Sequence, residues 1–316
     1  MRQLLLIWVL LLAGCAGTAS HRPPAASEKG TRFDVYVLGR AQDGGLPHVG
    51  CEKSCSTDAR RSGRRETPSC LGIHDRETDR LVVIEVTPAV EEQIAMLHSL
   101  SGVSGRGRKP VDAVLITHAH IGHYAGLIQF GREVASTKNL PTYVSPRMAE
   151  FIKSNGPWSQ LVELDQLDLI EFTPSGDSFE PIEGLEIEAI SVPHREEFSD
   201  TVAFRIHGPK RTVLFCPDVD RWTAHEGLLE SLLEGVDVAY IDGTFYDGSE
   251  IPGRDLSEIP HPPMVDTMGR VDPSTATRVH FIHLNHTNPA FNDDAVASEV
   301  EARGFKVAQP AERTGI

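Results

Sequence analysis

The stretch Val114-Leu115-Ile116-Thr117-His118-Ala119-His120-Ile121-Gly122-His123-Tyr124-Ala125-Gly126 runs from an apolar strand straight into three histidines. Side chains at i and i+2 of an extended segment point the same way, so His118 and His120 can grip one ion together. His123 follows where the chain turns into a helix and can reach a neighbouring ion. Neutral imidazole is the commonest transition-metal ligand. A lone histidine beside a strand is ordinarily a satisfied polar residue, but three within six positions point to a metal centre.

Outward from this segment, short β-rich runs alternate with helical stretches. The pattern predicts strands over 33–38, 81–86, 113–117, 185–192, 201–206, 212–215, 236–241 and 279–283. Helices are predicted over 89–100, 124–133, 147–155, 224–233 and 293–303. Two groups of strands, each interleaved with helices, suit an α/β sandwich: two mixed sheets face to face, with helices outside. The 316 residues are enough for a sizeable core, with 40% hydrophobic and 24% charged residues as in an ordinary globular chain. A formal net charge of −15 argues against nucleic acid as a partner, since phosphate binding needs a positive face. Gly105-Arg106-Gly107-Arg108-Lys109 reads as a solvated turn.

The N-terminus carries an address. One positive charge at Arg2 precedes an apolar run from Leu4 to Leu12, too short for a bilayer span of about 20 residues but suited to a secretory signal. Leu12-Ala13-Gly14-Cys15 looks like a bacterial lipobox, with Cys15 the lipidated thiol. The expected organisation is a lipoprotein signal peptide over 1–15, a flexible tether over 16–30 and one domain over 31–316. That implies a lipid-anchored protein of the bacterial envelope. Ala16 after the cysteine tilts the placement toward the outer membrane, facing the periplasm. Of the remaining cysteines, Cys51 and Cys55, with Cys70 nearby, allow either a disulfide or part of a zinc knuckle.

His118-Ala119-His120-Ile121-Gly122-His123 resembles the HxHxDH signature of metallo-β-lactamase-fold hydrolases. That resemblance implies an αββα sandwich over residues 32–316 and a centre for one or two ions, zinc with iron or manganese as alternatives. Carried residue by residue, it makes His194 the third ligand of the first metal and Asp218 the carboxylate bridging two metals. His283 becomes the last ligand of the second, alongside His123. Val37-Leu38-Gly39 with Gly44-Gly45, Glu85-Val86-Thr87-Pro88, Asp242-Gly243-Thr244-Phe245 and His283 through Pro289 resemble the coenzyme-PQQ biosynthesis protein B group. The informative departure is Gly122, where the signature has an aspartate. Asp43, His48, His261 or His286 are the candidates to compensate.

The implied chemistry is hydrolysis of an ester, phosphodiester or similar small substrate by a metal-activated water. Asp218 would orient that water, and Tyr124 or His286 would donate a hydrogen bond to the developing charge. Asp242 either holds a ligand histidine in its tautomer or caps a turn. Two alternatives stand beside this: an iron-dependent oxidative enzyme like the PQQ group, and a non-catalytic metal- or ligand-binding lipoprotein. A serine-nucleophile elbow, a P-loop and a dinucleotide fingerprint are all missing from the sequence.

Overall fold

The computed structural model describes residues 30–255, 258–272, 274 and 278–316. Cys15, the expected leader over 1–15 and the expected tether up to residue 29 lie outside the described residues. The first sheet holds β1 (Phe33–Gly39), β2 (Cys70–Asp75), β3 (Arg80–Ile84), β4 (Ala113–Leu115), β5 (Leu140–Val144) and β6 (Leu167–Glu171) in chain order. The second holds β7 (Phe179–Ile182), β8 (Leu185–Ser191), β9 (Val202–His207), β10 (Thr212–Cys216), β11 (Val238–Asp242), β12 (Arg278–Ile282) and β13 (Lys306–Val307). The last strand, β14 (Arg313–Gly315), returns to the first sheet and pairs with β1.

Both sheets follow one plan. β1 to β3 are antiparallel and β3 to β6 parallel. Likewise β7 to β10 are antiparallel and β10 to β13 parallel. Both faces of each sheet are covered, so the inner strands are apolar on both sides rather than alternating. Val35, Ile73, Val82, Phe204, Val213 and Phe215 face the gap between the sheets and form the central core.

Outside the first sheet, α2 (Val90–Ser101), α4 (Pro146–Ser154) and α5 (Trp158–Glu163) bring Leu97, Ile152 and Leu161 against Leu38, Val83 and Val114. Outside the second, α6 (Leu228–Leu233), α7 (Met264–Arg270) and α9 (Asp294–Ala302) bring Leu232, Met264 and Val300 against Leu214, Ala239 and Phe281. The short α1 (Ser54–Ser62), α3 (Ile121–Tyr124) and α8 (Pro289–Asn292) sit in connections. The helix starts are written locally. Ser145 caps α4 by accepting from the Met148 amide at 3.2 Å, with Pro146 in the first turn.

The expected αββα sandwich is the observed architecture, and two local expectations are corrected. The helix over 124–133 is instead the four-residue α3 followed by a 3-10 turn over Ala125–Phe130. Gly126 explains this: its amide donates to Val86 O at 2.9 Å, and a Cβ there would lie 2.0 Å from Thr87 O. Cys70 is also not near the other two cysteines in function; it is buried in β2, its thiol beside Glu85 O.

Candidate metal centre

The parallel strands end along one edge, and their C-terminal ends deliver the polar residues. His118 and His120 leave β4 by way of Ile116 and Thr117, Asp218 follows β10, Asp242 ends β11, and His283 follows β12. His194 comes off β8, and His123 sits in α3. Loops outside the carboxyl ends of parallel strands are where α/β folds place ligands.

Two sets of donors meet here. In the first, ligand atoms of His118, His120, His194 and Asp218 all lie within 4.8 Å of one another. In the second, those of Asp43, His123 and His283 do the same. Asp218 lies between them: Oδ2 is 3.2 Å from His118 Nε2 and 3.0 Å from His123 Nε2, while Oδ1 is 3.2 Å from His283 Nδ1. A further grouping joins Asp218 and His283 with His261 and Asp242. His118, His123, Asp218 and His283 are 0–2% exposed, so these approaches are not made in water.

Oxygens lie behind the outer nitrogens, and they hydrogen-bond those of His118, His120 and His283. Thr117 Oγ1 donates to Glu85 Oε1 at 2.5 Å and so accepts from His118 Nδ1 at 2.9 Å. His118 Nε2 is left as a lone pair facing the centre. The second sheet repeats the device: Thr244 Oγ1 donates to Asp242 Oδ1 at 2.7 Å and accepts from His283 Nδ1 at 2.9 Å. His120 directs Nε2 at Glu197 (3.2 Å), His123 directs Nδ1 at Glu85 (3.2 Å), and His194 directs Nδ1 at Asp220 (3.5 Å). Oxygens behind ligand histidines fix tautomer and ring orientation in this way.

Many of these atoms lack a hydrogen-bond partner. Both ring nitrogens of His123 and of His194, Nε2 of His283 and Oδ1 of Asp43 and Asp218 are buried with no hydrogen bond. A buried polar group left unsatisfied costs about 1–3 kcal/mol. Imidazole nitrogens and carboxylate oxygens converging this closely are a donor set for a transition-metal ion, and they fit one.

Electrostatics follow from the packing. Burial alone would raise the Asp218 carboxyl, but the imidazoles around it, His283 and His194 first and then His118 and His123, hold it well below the usual range. Burial and the neighbouring His123 hold His118 well below its ordinary value, which favours the neutral, ligating form. Burial would lower His123 too, but Glu85 and Asp218 outweigh it and lift that imidazole well above normal.

Other expected residues fall in different places. Asp242 both orients and caps: Oδ2 accepts from His261 Nδ1 at 2.7 Å, and Oδ1 accepts from the Thr244 amide at 2.9 Å. Tyr124 does not serve the centre. Its ring packs against Phe151 and Trp158, with centroids 5.3 and 5.0 Å away, because consecutive residues of α3 point to different sides and His123 takes the inner one. His286 is also displaced from its expected role. It stacks on His48 at 4.2 Å between centroids, and its ring nitrogen groups with the thiols of Cys51 and Cys55. Cys51 and Cys55 are not bonded to each other in the structure, and both lie with His286 in one cluster of donors.

Glu85, Glu197 and Asp220 were not among the expected site residues. Glu85 had a signal, since a fully buried carboxylate directly after the apolar run Leu81-Val82-Val83-Ile84 needs a partner. Glu197 and Asp220 lie in loops with no readable pattern. Beside the centre opens a cavity of about 370 Å³, lined by Asp43, His48, Arg65, Pro88 and Ile121 among others, a volume suited to a small molecule.

Comparison with known proteins agrees with this geometry. The family model "Beta-lactamase superfamily domain" matches residues 82–284, more than half of the chain. Coenzyme PQQ synthesis protein B of Rhizobium meliloti is 26% identical over 299 residues, covering 86% of this chain and 94% of that protein. The Methylorubrum extorquens protein of the same name is 24% identical over 302 residues, covering 87% and 97%. Among solved structures, Zn(2+)-bound PqqB from Methylobacterium extorquens superposes with a TM-score of 0.75 at 22% identity, covering 90% of this chain and all of that one. A diphosphatase from the PhnP family superposes with a TM-score of 0.64 at 16% identity, covering 90% and 97%. With its sandwich and its histidine-lined strand ends, the chain belongs to the β-lactamase superfamily and is similar along most of its length to the coenzyme PQQ synthesis protein B group.

Proposed function

We propose that this chain is a metal-dependent hydrolase acting on an ester, phosphodiester or similar small substrate. One observation carries the reading. Five buried or half-buried histidines, each with one nitrogen close to a flanking oxygen, converge around Asp218 and Asp43. His118, His120, His194 and Asp218 would hold one ion, and His123, His283 and Asp218 a second, with zinc the first candidate and manganese or iron also compatible. A bound divalent ion lowers the pKa of water toward about 7 and polarises a carbonyl or phosphoryl oxygen.

The chain's own residues supply the rest. Asp218, kept ionised by its imidazole neighbours, would orient the attacking water. The cavity lined by Asp43, Arg65 and Ile121 takes the substrate beside the centre. His261, whose Nδ1 is 2.7 Å from Asp242 and 3.5 Å from Asp218, would offer its other nitrogen to the departing oxygen. Lipidation at Cys15 would place this activity on the envelope, facing the periplasm from the outer membrane. Cys15→Ser is then expected to shift the protein from the membrane to the soluble fraction, and unchanged partitioning would contradict that address.

The test of function is metal analysis of the purified protein, followed by a panel of ester and phosphodiester substrates. Turnover lost on chelation and restored by zinc or manganese supports the reading. A second reading, an iron-dependent oxidative enzyme, draws on the similarity to coenzyme PQQ synthesis protein B. Iron content with oxygen uptake and no hydrolysis would favour it. Absence of bound metal would leave a binding role.

A further inference from the structure

We infer that the acidic ligand of the second ion has moved: Asp43, from the loop after β1, occupies the space that a side chain at Gly122 would fill, and serves in its stead. This rests on the metal-centre reading above and concerns only where one donor comes from.

The geometry is a mutual exclusion. A Cβ built on Gly122 would lie 2.1 Å from Asp43 Oδ1, 2.6 Å from Asp43 Cα and 2.9 Å from Asp43 Cγ. One of those three atoms is backbone, so rotating the Asp43 side chain does not make room. Any residue other than glycine at 122 displaces the Asp43 loop. Conversely, a carboxylate on a short stem at 122 would project into the volume where the Asp43 carboxylate already lies. The two positions compete for one place.

That place faces the second set of donors. Asp43 Oδ1 is 3.6 Å from His123 Nε2 and 3.9 Å from His283 Nε2. All three atoms are buried and none makes a hydrogen bond. At these separations each could bind an ion lying between them at ordinary nitrogen and oxygen ligand lengths of about 2.0–2.2 Å. The loop is fixed rather than loosely draped. Gln42 N donates to Leu284 O at 2.8 Å, Asn285 Nδ2 donates to Gln42 Oε1 at 2.7 Å, and Gly45 N closes the turn on Gln42 O at 2.8 Å. Gly45 takes the left-handed conformation the turn needs, at φ 65°. Asp43 is thus tied to the segment carrying His283, one of the ligands with which it would act.

The inference gives His123 an acidic partner although glycine precedes it in the chain. With Asp43 in position the second set contains two imidazoles and two carboxylates, counting the shared Asp218. It also gives the second ion an entrance, because Asp43 lines the cavity where substrate would arrive.

The experiment measures metal stoichiometry and affinity by native mass spectrometry and chelator competition with zinc, independent of any activity. The variants are Asp43→Ala, Gly122→Ala, Gly122→Asp and the double variant Asp43→Gly with Gly122→Asp, each checked for folding by circular dichroism. The wild type is expected to bind two ions. Asp43→Ala and Gly122→Ala should each weaken the second ion by about 10- to 100-fold or more while leaving the first in place. Gly122→Asp alone should lose the second ion by displacing the loop, and the double variant should recover it. A second ion unaffected by Asp43→Ala, or a double variant no better than Gly122→Asp, would overturn the inference. If the wild type binds no metal, it is the metal-centre reading that fails, and a wild type that binds one ion overturns the role of Asp43 alone.

Discussion

At the level of single residues, the centre is a problem in hydrogen-bond direction. An imidazole offers one lone pair, and the partner of its other nitrogen decides which. Thr117 and Thr244 make that decision for His118 and His283 by passing a hydrogen bond to Glu85 and Asp242. Replacing either threonine with valine keeps the shape and removes the hydroxyl, so the ring is free to flip or change tautomer. Thr117→Val and Thr244→Val are each expected to weaken zinc binding by about 10- to 100-fold, with a stability loss of about 1–3 kcal/mol from the buried carboxylate that loses its donor. Chelator competition measures this, and unchanged affinity in both would contradict the assigned tautomers. His118, His120 and His123 are legible in the sequence because they crowd one short stretch. His194, Asp218 and His283 are scattered, and only the resemblance picks them out. Glu197 and Asp220 carry no sequence signal, because what matters is where a loop brings an ordinary acidic residue.

At the level of elements, most apolar runs read as strands, and β1, β3, β4, β8, β9, β10, β11 and β12 appear near their expected places. Burial alone did not make a strand legible: β2 and β5 are buried yet have no expected counterpart, any more than the half-exposed edge strands β6 and β7 or α1, whose sequence SCSTDARRS has almost no apolar face. The two sheets are clasped at one end by Arg32, just before β1. It donates from Nε and from a terminal guanidinium nitrogen to Asp75 at the end of β2, at 3.0 and 2.7 Å, and to Glu183 O in the β7–β8 turn at 2.9 Å. Burial alone would raise the Asp75 carboxyl, but Arg32, the Thr78 hydroxyl and the Glu77 amide bring it down to about 2. A carboxyl depressed on folding stabilises above its unfolded value near 3.8 and loses that contribution as pH falls toward its folded value. Asp75→Asn is therefore expected to cost about 2 kcal/mol in urea unfolding at neutral pH, with the gap to wild type narrowing between pH 4 and 2. A gap constant with pH would show that charge plays no part in the clasp.

At the level of the whole molecule, the repeated plan of the two sheets matters most. Each passes from antiparallel to parallel strands, and the parallel ends of both deliver donors to one edge. His118 arrives from the first sheet and His283 from the second, each backed by a threonine and a carboxylate, with Asp218 between them. The fold class could be read from alternation of strands and helices, but this convergence could not, since it depends on how two sheets face each other.

The most direct test is an anomalous-difference map from a crystal of the protein grown with zinc, collected on either side of the zinc edge. Two peaks are expected, one within reach of His118, His120, His194 and Asp218, the other of His123, His283, Asp218 and Asp43. A map with no peak among these side chains, at saturating zinc and with the fold intact, would contradict the account.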